Sequence, residues 1–202
     1  MPRISEARIK ARQDQLLAAA KKVFATKGYE AAAISDIARP AGMSDGLIYH
    51  YYGSKRGLLL AVLSDYYGRI IKDLEAAVTE TEGFEARLSI LIRKHVETFV
   101  SDVDLCRMVI SQARDFDTYL GSETHELNRR YTAIFLRIIS EGMTEGRVAP
   151  DVDARLVRDM LFGGIEHIAW RHIGTNAAFD VEHITNQITR LLLGGLGAGG
   201  ER

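Results

Sequence analysis

Residues Gln13 to Leu63 read QDQLLAAAKKVFATKGYEAAAISDIARPAGMSDGLIYHYYGSKRGLLLAVL. Ile9, Leu16, Leu17, Ala20, Val23 and Phe24 recur at the spacing of one helix face, while Lys10, Arg12, Lys21 and Lys22 fall largely outside that stripe. Gly28 stops this helix. Ile34, Ile37, Ala38 and Ala41 mark a second, shorter one, and Ala41-Gly42-Met43-Ser44 forms a tight turn in which Ser44 is placed to cap a third. The third helix is predicted over about 45–51. In it Ile48 faces inward with Tyr52, which leaves Ser44, Asp45, Leu47, Tyr49 and His50 pointing outward. Two short helices joined by a tight turn form the helix-turn-helix, whose second element enters the DNA major groove.

Outward from this stretch the sequence is helical throughout. Apolar periodicity predicts further helices over 54–78, 84–100, 102–116, 122–145, 152–173 and 181–193, with breaks at Gly83, Gly121, Gly146 with Pro150, and Gly174. Strand-type alternation is absent over any useful length. The expected fold is all-α with about nine helices. A three-helix DNA-binding domain occupies 1–53, and a larger helical ligand-binding and dimerisation domain occupies 54–202. The fourth helix belongs mechanically to both. The Gly-rich end, 194–202, reads as a frayed tail.

Charge is distributed to match. The whole chain of 202 residues has a net charge of −1, which alone would argue against nucleic acid. Residues 1–60, however, hold ten Lys+Arg against five Asp+Glu, and the remainder holds sixteen against twenty-two. The positive end therefore coincides with the helix-turn-helix, as phosphate binding requires. With 47% hydrophobic residues the chain can bury a sizeable core. A single cysteine, Cys106, excludes an intrachain disulfide and a Cys-based zinc site. No signal-like stretch and no apolar run of the roughly 20 residues needed for a membrane span is present. The expectation is a cytoplasmic protein with no membrane partner, no metal and no cofactor.

Gly28-Tyr29, Asp36-Ile37-Ala38, Ala41-Gly42-Met43-Ser44, Gly46-Leu47-Ile48-Tyr49-His50-Tyr51-Tyr52 and Ser54-Lys55-Arg56-Gly57-Leu58-Leu59 together resemble the N-terminal domain of TetR-family transcriptional regulators. The likeness covers about the first third of the chain. It implies that Ser35 and Arg39 meet the DNA backbone or groove edge, that Ser44, Asp45, Gly46, Leu47, Tyr49 and His50 form the recognition surface, and that Lys55 contacts a phosphate. These residue types suit the task, because helix N-termini and lysines bind phosphate oxygens and an Asp can accept from cytosine. Three positions depart from the family pattern. Ala33 replaces a capping Thr, which removes about 1 kcal/mol of N-cap stabilisation. Pro40 is expected in the last turn of the second helix, and Leu47 replaces a small hydroxyl residue, pointing to a thymine methyl.

The resemblance further implies a homodimer on a pseudo-palindromic double-stranded DNA operator. One short recognition helix reads too few bases, whereas a twofold dimer spaces two of them by roughly 34 Å. Two apolar stripes, on the eighth and ninth helices, supply candidate dimer contacts: Leu161, Gly164, Ile168, Ile184, Ile188 and Leu191. The same two stripes also fit an ordinary core. Family members hold a ligand cavity among their middle helices, for which Phe99, Arg107, Met108, Arg114, Phe116, Tyr131, Phe135 and Trp170 are the candidate residues. Aromatics at helical spacing are also ordinary core. Ile138-Ile139-Ser140-Glu141-Gly142 and Arg158-Asp159-Met160-Leu161-Phe162-Gly163 look like the TetR-type repressors of fatty acid degradation, whose ligands are long-chain acyl-CoA thioesters. By that likeness an apolar tunnel takes the acyl chain, and Arg107 and Arg114 meet the CoA phosphates. An aromatic or drug-like small-molecule effector is the alternative.

Enzyme signatures are absent. His95 with Glu97, His125 with Glu126 and Glu166 with His167 place acids near histidines, but neighbours on a helix point roughly 100° apart and do not share a site. There is no HExxH, P-loop or GxSxG. An architectural DNA protein without a ligand is a third class, marked by equal affinity for all sequences. The reading carried forward is a repressor whose effector weakens both half-site contacts by favouring a form with its recognition helices apart.

Overall fold

A computed structural model of the chain describes residues 6–113, 119–175 and 177–197. Among these residues there are nine helices and no strand. They are α1 (Glu6–Lys27), α2 (Ile34–Ala38), α3 (Asp45–Tyr52), α4 (Lys55–Thr79), α5 (Phe84–Ser101), α6 (Val103–Ala113), α7 (Glu123–Thr144), α8 (Ala154–Thr175) and α9 (Val181–Leu196). The predicted sixth helix extended to 116, and its last residues lie outside the described ones. Two compact units share the chain. The first runs up to Gly68 and takes in Asp104–Leu127, while the second comprises Arg69–Val103 and the residues from Asn128 onward. The division falls within α4, so the fourth helix contributes to both.

In the first unit, Leu16, Ala20 and Phe24 of α1 are buried with Ile34, Ile37 and Ala38 of α2, Ile48 of α3, and Leu58, Leu59, Val62 and Leu63 of α4. α1 packs on α2 and α2 on α3. The apolar stripe of α1 is therefore used at its C-terminal end, whereas Ile9 is exposed. Pro40 lies outside α2 rather than in its last turn. The helix ends at Ala38 because Pro40 offers no N–H to continue it. Arg39 nevertheless keeps helical angles as the C-cap, and the chain turns through Gly42 at φ +62°, with the Met43 N–H donating to the Ala38 carbonyl at 3.0 Å. Only glycine takes that left-handed angle without strain.

The second unit is organised about α5, which packs against α9 and α8. Leu88, Leu91, Ile92 and Val96 of α5, Ile134, Phe135, Ile138 and Ile139 of α7, and Ile165 and Ala169 of α8 form its interior. The Gly-rich end is not frayed from residue 194. α9 continues through Gly194 and Gly195 to Leu196, whose side chain is buried and whose carbonyl accepts from the Ala149 N–H at 3.0 Å. Burying one leucine and closing one backbone bond offsets the entropy of two helical glycines. No helix among the described residues is long and apolar enough to cross a membrane.

Candidate nucleic-acid interface and effector site

The candidate recognition surface is built by caps. α3 starts because the Ser44 hydroxyl accepts from the Leu47 N–H at 3.3 Å, and it ends at Gly53, φ +72°, whose N–H donates to the Tyr49 carbonyl. With Ile48 buried as the anchor, Ser44, Asp45, Gly46, Tyr49 and His50 are exposed on α3, and Ser35 and Arg39 are exposed beside it on the α2 side. Leu47 differs from its expected outward position. It is half-buried in a small cleft with Ile9, Leu16, Met43 and Tyr51, so part of its surface serves the α1–α3 packing.

The Ala33 cap is compensated from the other direction. The Asp36 carboxylate accepts from the Ala33 N–H at 3.0 Å and pairs with Lys27 at 2.7 Å. The Lys27 contact first, then the Ala33 amide, hold the Asp36 carboxyl below the usual carboxylate range. A Thr side chain is thus replaced by the acid half of a capping box.

Lys55 has a different employment from the one the family likeness implied. Its ammonium donates to the carbonyls of Tyr29, Glu30 and Ala32 at 2.8, 3.0 and 3.2 Å and lies 4.6 Å from the centre of the Tyr29 ring. An ammonium has three protons, and all three are directed at the loop between α1 and α2. In this conformation none is left for a phosphate. Lys55 fastens the start of α4 to the end of α1.

In the second unit, three of the residues expected around a ligand come together. Phe99, Tyr131 and Phe135 are buried, and His95 and Phe162 join them. The His95 ring lies 5.3 Å from Phe99, 5.7 Å from Tyr131 and 4.6 Å from Phe162, and Phe162 also meets Tyr131 and Phe135 edge-on at 5.8 and 6.2 Å. His95 Nδ1 pairs with the Tyr131 hydroxyl at 3.1 Å, while Nε2 is buried without a hydrogen-bond partner among the described residues. Burial pushes the His95 pKa down to about 3, so the ring is neutral. The cluster continues from Phe99 through Phe179 to His172, whose Nδ1–H donates to the Ala177 carbonyl at 2.7 Å and whose Nε2 is likewise buried and unpaired. Each such orphan costs about 1–3 kcal/mol unless something pairs with it.

The other expected lining residues do not join this cluster. Trp170 is 41% exposed on α8, beside the His167 ring and with its indole N–H directed at Glu166. It follows buried Ala169 by one residue, and one step along a helix turns it out of the interior. Arg107 and Met108 belong to the first unit, Met108 buried there and Arg107 exposed and 3.8 Å from Asp104. Arg114 and Phe116 lie outside the described residues. His95 itself escaped the sequence reading of the ligand site, although the signal was present: it is the one polar member of the stripe Leu88, Leu91, Ile92, His95, Val96, Phe99.

The stripe on α8 divides in two. Leu161 is 4% exposed and belongs to the protomer's own core, which corrects its assignment to a dimer contact. Leu156, Met160, Gly164 and Ile168 form a neighbouring, exposed stripe, each of the last three one residue before a buried one, with Met160 67% exposed. On α9, Ile184 and Ile188 are half-buried and Leu191 is 71% exposed.

Comparison with known proteins covers both units. Residues 16–62 match the family described as bacterial regulatory proteins, tetR family, and residues 63–195 match the C-terminal region of YsiA-like proteins. The fatty acid metabolism regulator protein of Bacillus subtilis is 28% identical over 182 residues, covering 90% of this chain and 94% of that protein. The transcriptional repressor KstR2 of Mycolicibacterium smegmatis is 27% identical, covering 92% and 90% of the two chains. Among solved structures, the regulator FadR from Bacillus subtilis in complex with stearoyl-CoA superposes with a TM-score of 0.83 at 28% identity, covering 91% of this chain and 98% of that one. FadR from Bacillus halodurans gives 0.82 at 29% identity with the same coverage. The helix-turn-helix with its exposed α3, and the matches that run from there almost to the end of α9, place this chain in the TetR family of transcriptional regulators, which are not enzymes.

Proposed function

We propose that the protein is a homodimeric repressor that binds a pseudo-palindromic operator through α3 and is released by a long-chain acyl-CoA. The observation that carries the effector reading is the likeness, along nearly the whole chain, to a regulator whose structure holds stearoyl-CoA. The ring-walled interior of the second unit around Phe99, Tyr131, Phe135 and Phe162 has the apolar character an acyl chain requires. Dimerisation is supported by the large apolar side chains exposed on α8 and by the exposed Leu191, since exposed apolar surface can mark an interaction site. The effector releases DNA only to the extent that it binds the operator-incompetent form more tightly. A hundredfold preference corresponds to about 2.7 kcal/mol.

The experiment is a gel-shift titration on DNA from upstream of the protein's own gene, at fixed salt, with long-chain acyl-CoA, the free fatty acid and CoA alone in parallel. Release by the thioester alone supports the reading. A specific complex indifferent to all three keeps the regulator and rejects acyl-CoA in favour of an aromatic or drug-like ligand.

A further inference from the structure

His95 is a polar side chain placed where the fold offers it only half of its hydrogen bonding. Its ring is enclosed by Phe99, Tyr131 and Phe162, its Nδ1 is committed to the Tyr131 hydroxyl, and its Nε2 has no partner among the described residues. A residue that only filled this space would be a leucine or phenylalanine, like the rest of its stripe. The hydroxyl opposite Nδ1 can donate or accept, so the tautomer is adjustable. When Tyr131 donates to Nδ1, Nε2 carries the proton and donates outward; when Nδ1 donates to Tyr131, Nε2 accepts. Burial keeps the imidazole uncharged, so the site offers no cation to an ionised carboxylate. It matches a neutral oxygen.

We infer that His95, oriented by Tyr131, is a specificity-determining contact that reads a neutral oxygen on the acyl effector, either the thioester carbonyl or a hydroxyl on the chain. This rests on the acyl-CoA reading above and adds to it that the interior is selective for oxygen as well as for chain length. Tyr131 acts on oxygen recognition as a positioning residue, through the hydrogen bond between its hydroxyl and His95 Nδ1.

The test uses the full-length protein and three ligands of equal chain length, with affinities measured by calorimetry. Palmitoyl-CoA carries the carbonyl, S-hexadecyl-CoA is the thioether that lacks it, and 3-hydroxypalmitoyl-CoA carries an added hydroxyl. If the carbonyl is read, the thioether binds about tenfold more weakly than palmitoyl-CoA, a factor equal to about 1.4 kcal/mol. If the chain oxygen is read, the 3-hydroxy ligand binds about tenfold more tightly than palmitoyl-CoA. In either case His95→Leu binds all three alike, and Tyr131→Phe, which keeps every ring in place, lowers the discrimination without abolishing chain binding. Equal affinities in the native protein, or discrimination that survives in His95→Leu, overturn the role of His95 while leaving the acyl-CoA reading intact. Failure of the native protein to bind any of the three overturns both.

Discussion

The Lys55 ammonium sits 2.8 Å from the Tyr29 carbonyl oxygen and 4.6 Å from the centre of the Tyr29 ring, so one residue grips the loop after α1 by its backbone and its side chain together. With Glu30 and Ala32 supplying the other two carbonyls, the contact is a three-point clamp across the first unit. Charge-assisted hydrogen bonds of this kind contribute about 1.5–3 kcal/mol each at most, and they are not additive. Lys55→Met, which keeps the stem and removes the ammonium, is expected to lower stability by about 2 kcal/mol, measured by urea denaturation. The salt dependence of DNA binding by the folded fraction is expected to keep its slope. A slope reduced by about one would show instead that Lys55 leaves the clamp and neutralises a phosphate in the complex.

Exposure on α3 makes a separate prediction. Tyr49 and His50 project from the helix while Ile48 anchors it, so their loss leaves the fold intact. Tyr49→Phe and His50→Ala are each expected to weaken operator binding by about 1–2 kcal/mol with sedimentation and thermal stability unchanged. Full operator affinity in both variants would remove this surface from recognition.

Two glycines of α4 predict opposite outcomes for the same substitution. A methyl at Gly57 would overlap the Tyr52 carbonyl oxygen, backbone against side chain, at the junction where Ser54 caps α4 by accepting from the Gly57 N–H. Gly68 is exposed in mid-helix, and a methyl there meets nothing within 4 Å. Gly57→Ala is expected to destabilise by about 1–3 kcal/mol despite its better helix propensity, because the α3–α4 junction must open. It should also weaken DNA binding. Gly68→Ala is expected to stabilise by about 1 kcal/mol. Thermal melts of the two variants side by side check both signs.

His95 predicts a pH dependence. Its pKa is about 3 in the folded protein and its ordinary value is about 6.5, so below that ordinary value the unfolded chain takes up a proton that the native ring refuses. The stability it contributes is fully present above about pH 6.5 and is lost as pH falls toward 3, at about 1.4 kcal/mol per pH unit. Between pH 6.5 and 4.5 the native protein should therefore lose roughly 2 kcal/mol more than His95→Phe. Carboxylates and the other histidines contribute to both curves and cancel in the difference. Urea midpoints that run parallel for the two proteins over this range would show that His95 is accessible to protons in the native state.

Most helix boundaries were legible in the sequence because each is carried by a local signal: Gly28, the Ser44 cap, Gly83 and Gly146 act within a turn of the helix end beside them, whereas Gly174, expected as a break, lies inside α8, which runs on to Thr175. The outward face of α3 was legible for the same reason, since one buried Ile48 fixes the rest. What escaped depended on partners distant in sequence. Lys55 looks like a phosphate contact until the loop 23 residues or more before it is folded over its ammonium. Trp170 looks like a ligand wall until Ala169 is known to point inward. The compensation of Ala33 by Asp36 is local and could have been read from the three-residue spacing of a capping box.

The division of α8 into two faces gives the last prediction. Leu161, Ile165, Ala169 and Ile173 follow one another at near four-residue intervals on the buried side, while Leu156, Met160, Gly164 and Ile168 repeat the same interval on the exposed side. A helix with two apolar stripes satisfies its own protomer with one and leaves the other for a second surface. Met160→Glu and Ile168→Glu place a charge on the outer face, where an interface would have to bury it and where solvent otherwise accepts it. Each is expected to give a species of half the mass in sedimentation with its thermal stability little changed. Operator affinity should fall by at least about tenfold, because the second half-site is no longer tethered to the first. Leu161→Glu, on the inner face, should instead prevent folding. A stable dimer in both outer-face variants would move the interface off α8, and with it the geometry that sets the two α3 helices on their half-sites.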